Sequence, residues 1–295
     1  MSAITIECVL NIHSKLGEGA VWDSASQRLW WVDITAGLIH AFDPSSGNNQ
    51  TWDWGEPVGC MAVRESGGLL LATRTGFHFF DPETGQREAL SNPESGAPSR
   101  FNDGTTDTEG RFWAGTMKAG GEPEKIGRFY RFDKNHQTVA FFDNVFTTNG
   151  LAFSPDGRTL YFSDSNPAVR TIWCCDYDPD SGHPGTPRVF FDTCQVEGRP
   201  DGGTVDADGC YWMAGVSGWQ LVRITPQGKV DRIVNMPIEK PTKPMFGGNN
   251  LDVLYVTSIG GDTSTGLAEG QPLAGGLFAV TGLGVKGVEQ TRFAG

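Results

Sequence analysis

The sequence predicts an all-β fold, a six-bladed β-propeller, and three observations predict it. One phrase recurs six times along the 295 residues, at a spacing of roughly 40–50, the length of a four-stranded blade. Each phrase is a turn ending in Gly, an aromatic or aliphatic strand, a second apolar strand and another turn. The chain holds 40 Gly and 17 Pro and is 11% aromatic, which suits short strands joined by tight turns. No stretch offers a helical stripe with caps. A β-sandwich would share the composition but not the period.

The elements follow in order. ITIECVLNI (4–12) is a leading strand with no partner in the first unit. It is expected to join the last unit and close the ring, which removes exposed edges. The six units are RLWWVDITAGLIHAFDPSSG (28–47), GLLLATRTGFHFFDPETG (68–85), GRFWAGTMKAGGEPEKIGRFYRFDKN (110–135), RTLYFSDSNPAVRTIWCCDYDPDSG (158–182), CYWMAGVSGWQLVRITPQG (210–228) and VLYVTSIGGDTSTGLAEGQPLAGGLFAVTG (253–282). Residues 1–295 are therefore read as one propeller domain.

Each unit should begin with the strand nearest the axis. Four of those strands carry a polar residue followed closely by Gly, in LGEGAVWDSASQ (16–27), RFNDGTTDTEG (100–110), TTNGLAFSPDG (147–157) and RPDGGTVDADG (199–209). The residues are Glu18, Asn102 with Asp103, Asn149 and Asp201. Radial repetition brings equivalent positions together at the axis. The second unit offers VGCMAV (58–63) there and the sixth FGG (246–248), so the expected pocket is acidic on one side and small or apolar on the other. Carboxylates with carboxamides form an oxygen set that suits a hard divalent cation. For Glu18 or Asp201 taken singly, a strand-end residue satisfied by backbone N–H groups is an equal reading; four in phase favour the shared pocket. Asp107, Asp156 and Asp208, shortly before Gly110, Gly157 and Gly209, read as Asp/Gly turns, as do DPSSG, DPETG and DPDSG.

Other classes are disfavoured. A net charge of -12 opposes binding to a nucleic-acid backbone. No apolar run is long enough to span a bilayer, so no membrane is expected as a partner. The N-terminus lacks the pattern of a secretory signal, and a cytoplasmic location is expected. The six cysteines form no CxxC pair and read as small apolar residues in a reducing compartment; Cys174 and Cys175 should point to opposite faces of a strand. GLGVKG (282–287) matches a dinucleotide fingerprint, but too little chain follows it for the required helix. There is no GxSxG elbow, phosphate loop or paired-His zinc motif.

The phrases LGEGAVWD, RFNDG, AGTM, TNGLAFSPDG, RPDGGTVDADG and AGGLFAVTGLGVKG, in this order, resemble the gluconolactonase, regucalcin and luciferin-regenerating enzyme family. The resemblance runs from about Glu18 to Gly287 and implies a six-bladed propeller with one divalent cation in its channel, and hydrolysis of sugar lactones. Carried over, it implies Glu18, Asn149 and Asp201 as metal ligands, Asp201 also as catalytic acid/base, and Arg100 and Asn102 as substrate-binding residues. Calcium is the cation expected by ligand type, with zinc, iron(II), manganese and magnesium as alternatives. The expected partner is a small sugar lactone such as glucono-, xylono-, arabinono- or galactonolactone. The chain departs from the family's pattern after GTM: a substrate-facing Glu is expected there, and Lys118, Ala119 and Gly120 stand in its place. Two alternatives stand beside the lactonase: a calcium-binding regulatory propeller without catalysis, and a promiscuous esterase or phosphotriesterase. Trp219 in SGWQL is read as a core or rim residue, with cover for an apolar sugar face as the alternative.

Overall fold

The computed structural model describes residues 3–261 and 270–295. It is a six-bladed β-propeller of antiparallel sheets. The innermost strands of blades 1 to 6 are Gly17–Asp23, Val58–Val63, Ser99–Thr106, Thr148–Phe153, Arg199–Val205 and Pro241–Gly247. Each packs against the inner strands of both flanking blades, so the six line one central channel.

The ring closes as expected. Thr5–Leu10 pairs antiparallel with Leu277–Thr281, Thr5 opposite Thr281 and Leu10 opposite Leu277. The last blade thus takes three strands from the C-terminal part of the chain and its outermost from the N-terminus. Blade 4 carries an extra short strand, His183–Pro184, beside its fourth strand Arg188–Asp192.

Apolar alternation along the strands builds six clusters, one between each pair of neighbouring blades. Between blades 1 and 2, for example, Trp30, Val32 and Ile39 meet Val58, Met61, Leu71 and Phe80. Cys174 and Cys175 fall in different clusters, as the two faces of a strand require, and all six cysteines are free thiols.

All six inner strands share one irregularity. Their pairing with the second strand of the blade slips between Glu18 and Val21, Val58 and Cys60, Phe101 and Gly104, Asn149 and Ala152, Pro200 and Gly203, and Pro241 and Pro244. In each case the inner strand holds one residue more than its partner, a β-bulge, which turns side chains off the regular alternation and into the channel. Gly19 and Gly150 adopt φ +59° and +66° in two of these bulges, where glycine is the unstrained choice. Gly59 serves closeness instead: a Cβ there would run into the backbone of Phe101 on the next blade.

The sixth bulge corrects an expectation. The channel position of blade 6 is taken by Thr242 and Lys243, not by FGG. In register, Pro241-Thr242-Lys243 answers Pro200-Asp201-Gly202, and counting from the Phe-Gly-Gly turn places the phase several residues late.

The turn aspartates are turns, in a corrected phase. Asp107 accepts from the N–H groups of Glu109 and Arg111 at 3.0 and 2.9 Å and from Tyr177 Oη at 2.5 Å. Its equivalent is Asp206, not Asp208: Asp206 accepts from the N–H groups of Asp208 and Cys210, both at 3.0 Å, and from Trp212 Nε1 at 2.8 Å. Arg111 and Arg223 close the two arrangements at 2.6 and 2.7 Å. In blade 4, Ser154 holds the matching place, its Oγ accepting from Thr159 N–H at 2.9 Å and donating to Asp156 at 2.5 Å.

The C-terminal segment crosses the channel end remote from Glu18. Gly287 N–H reaches Leu251 of blade 6, Gln290 reaches Thr105 and Thr106 of blade 3, and Phe293 pairs with the backbone of Val63 and Glu65 of blade 2. GLGVKG is the start of this strap, so it is no nucleotide loop.

Candidate active site at the mouth of the channel

Glu18, Arg100, Asn102, Asn149 and Asp201 line one cavity of about 240 Å³. They come from blades 1, 3, 4 and 5, and the bulges bring them together. A larger cleft of about 820 Å³ runs between blades 1 and 2, but no expected site residue lines it. Trp219 does not line the 240 Å³ cavity either; it is 43% exposed. Lys118 pairs with Glu124 in the loop that follows.

Two aspartates that sequence reading missed set the approach to the site. Asp33, ending the second strand of blade 1, accepts from the N–H groups of Lys15 and Leu16 at 2.7 and 3.1 Å. Asp164 does the same in blade 4 for Phe146 and Thr147, at 2.9 and 3.1 Å. Each clamps the chain just before a site residue, Glu18 or Asn149. The signal was present in WWVDIT and YFSDSN, where Asp closes the same strand of two units.

The orientation of Asn149 is determined by its neighbours. Ser165 Oγ donates to the Pro200 carbonyl, so it offers only lone pairs to Asn149. The Asn149 amide nitrogen therefore faces Ser165 at 2.7 Å and donates to Asp201 Oδ1 at 2.6 Å. Asn149 Oδ1 is left buried without a hydrogen-bond partner among the described residues. Among the described residues, Glu18 accepts one hydrogen bond, from Gly19 N–H at 3.0 Å, and the second oxygen of Asp201 accepts none.

Arg100 donates to Asn102 Oδ1 at 2.7 Å and to its neighbour's carbonyl, Phe101, at 2.9 Å. Asn102 donates to the Thr148 carbonyl at 2.9 Å. The pair is braced across blades 3 and 4, with guanidinium N–H groups left over for the cavity.

Beneath them lies a buried ion pair that sequence reading also missed. Lys243 Nζ donates to Asp103 Oδ1 at 2.8 Å, and Leu151 N–H donates to Asp103 Oδ2 at 2.8 Å. Asp103, whose role was open, is thus a structural anchor for blades 3, 4 and 6.

Burial dominates the electrostatics. It raises the Glu18 carboxyl well above its ordinary range, and the charges of Asp201 and Asp103 add to this. Burial, then the Asp103 charge, pushes Asp201 up to about 7, and burial lowers Arg100 to about 10. Two crowded carboxyls that resist ionisation and an orphaned carboxamide oxygen are the complement of a cation. No group of three or more His, Cys, Asp or Glu suited to a metal occurs among the described residues, so a set of three protein donors here would take in the Asn149 oxygen beside the two carboxylates. The residues fit an oxygen-ligated divalent ion.

A six-bladed propeller whose inner-strand bulges gather carboxylates, carboxamides and an arginine at one mouth of the channel defines a class of propellers with a polar cavity on the axis. Within that class, a family model described as "SMP-30/Gluconolactonase/LRE-like region" matches residues 16–260. The chain belongs to this family. It is 38% identical over 293 residues to the 6-deoxy-6-sulfogluconolactonase of Pseudomonas putida, covering 99% of each chain. It is 38% identical over 301 residues to the regucalcin of Xenopus laevis, covering all of both. A solved regucalcin from Agrobacterium tumefaciens, described as a calcium-binding protein, superposes with a TM-score of 0.90 at 27% identity, over 97% of this chain and 96% of that one. No helix among the described residues is long and apolar enough to cross a membrane.

Proposed function

We infer that this protein is a sugar lactonase, a carboxylic-ester hydrolase that opens aldonolactones to aldonic acids with a divalent cation at the channel mouth. The observation that carries the reading is the constellation itself: among the described residues Asn149 Oδ1 has no partner and Glu18 and Asp201 accept one hydrogen bond each, beside the donor pair Arg100 and Asn102. Glu18, Asn149 and Asp201 would hold the cation, calcium by donor type. Once bound, such an ion supplies Lewis-acid polarisation of the lactone carbonyl. Zinc, iron(II), manganese and magnesium accept the same donors.

The chain's residues do the rest. Asp201 has two oxygens to divide between the roles: with Oδ1, which accepts from Asn149, also turned to the cation, Oδ2 would be left to accept the proton of the attacking water. Arg100 and Asn102 hydrogen-bond ring hydroxyls, so an analogue lacking them leaves buried donors unmatched. The rest of the lining, with Met117, Pro123, Val216 and Ile259, excludes water from the ring face.

The test is proton release from a panel of glucono-, xylono-, arabinono- and galactonolactone by chelated protein with single metals restored. The relative's name specifies a sulfonated gluconolactone, so the panel includes one. Turnover should vanish on chelation and return with one or more metals. Asp201→Ala should cost about 10²–10⁴-fold in kcat, the usual worth of a general base. Full turnover after chelation would sink the cation; near wild-type turnover by folded Asp201→Ala would sink the mechanism. Calcium binding without turnover of any lactone would favour the regulatory reading, and aryl-ester turnover far above lactone turnover the esterase reading. A free Asp201 oxygen and a braced Arg100 favour catalysis over ion storage.

A further inference from the structure

Arg199 also lines the cavity, and nothing above employs it. It begins the inner strand of blade 5, opposite Val216 and two residues before Asp201. Its guanidinium is half-buried, yet its one protein hydrogen bond among the described residues is a long one, Nη1 to the Ser165 carbonyl at 3.4 Å. It forms no ion pair there. Other enclosed arginines are better satisfied: Arg223 holds Asp206, Asp208 and Asp231, and Arg170 donates to three carbonyls.

A guanidinium kept at a cavity wall without a carboxylate retains most of its five donors and its charge for a ligand. The lining side chains that can carry charge are Glu18 and Asp201 against Arg100 and Arg199. The two carboxylates converge with Asn149 and Arg100 serves the ring hydroxyls, so Arg199 is what a substrate's own acid would meet. We propose that Arg199 forms an anion subsite, and that the lactone this protein takes best carries an acidic group (carboxylate, sulfonate or phosphate) beyond its ring. The subsite rests on the lactonase reading for its location in the reaction, but not for its ability to bind anions. The competing role for Arg199 is a counter-charge for Asp201, whose ionisation it favours.

The experiment compares glucono-1,5-lactone with 6-phospho-, 6-sulfo- and 6-carboxylate counterparts, in wild type, Arg199→Gln and Arg199→Lys. Wild type should prefer one or more acidic lactones by about tenfold or more in kcat/KM, the worth of one charge-assisted pair. Arg199→Gln should erase that ratio, mainly through KM, and Arg199→Lys should restore part of it. Which acid wins separates the three anions. Equal loss on neutral and acidic lactones, through kcat, would mean a counter-charge and overturn the subsite, as would a wild type without preference. Calorimetry with glucarate and gluconate, which need no turnover, separates the two readings: tighter glucarate binding that Arg199→Gln abolishes supports the subsite even if no lactone is hydrolysed, and equal binding of both acids overturns it even if lactones are.

Discussion

At the residue scale, the bonds that matter join residues far apart in the chain. Lys243 and Asp103 are 140 positions apart and almost fully buried. Removing one partner strands a charge, so Lys243→Met should lower unfolding stability in urea by about 3–5 kcal/mol. Lys243→Met with Asp103→Asn should lose clearly less, because neither charge is then left alone. Equal losses would mean that packing, not charge, is at stake. His40 makes a second prediction. It is stacked on Trp31, with ring centroids 4.1 Å apart, and burial lowers its pKa from 6.5 to about 4. Between those values the unfolded chain binds the proton more readily than the folded one. This contribution is therefore complete above pH 6.5 and is lost as pH falls towards 4, about 3 kcal/mol in all. Stability measured across that window should fall less steeply for His40→Gln than for wild type.

At the scale of the element, the repeated bulge is the device that makes a site. A regular inner strand would alternate its side chains between the two flanking clusters. One extra residue per strand re-aims Asn102, Asp201 and Lys243 along the channel, and glycines absorb the bend at Gly19 and Gly150. Gly150→Ala should be costly, since its φ is +66° and a Cβ would meet Tyr211 Oη and Ser163 Oγ. A loss of about 1–3 kcal/mol is expected, with weakened cation binding because Asn149 is next in the chain; thermal unfolding with and without added calcium reads both. The phase of these bulges was legible in the four Gly-marked phrases. Blade 6 escaped because its bulge carries Pro, Thr and Lys instead of Gly, so no small residue marked the place.

For the whole molecule, closure by Thr5–Leu10 should make residues 1–295 one cooperative unit. A single calorimetric transition is expected. Deleting residues 1–11 leaves Leu277–Thr281 as a bare edge, and the shortened protein should self-associate in size-exclusion chromatography at concentrations where the full chain does not. Two transitions in the full chain would contradict the single domain.

The sequence by itself determined the propeller, its six units, the strand that closes it and four of the residues that meet in the cavity, Glu18, Asn102, Asn149 and Asp201, while Arg100 came from the family resemblance. Periodicity carries that information, because a repeat that buries its faces only against its neighbours has to return at a constant interval. Tertiary structure alone decided the rest. Ser165 orients the Asn149 amide, Asp33 and Asp164 clamp the entering chain, Lys243 answers Asp103, and Arg199 stands at the wall with no ion pair among the described residues. Each of these depends on which atoms face one another across different blades, and a spacing along the chain says which residues share a level but not which lone pair meets which donor.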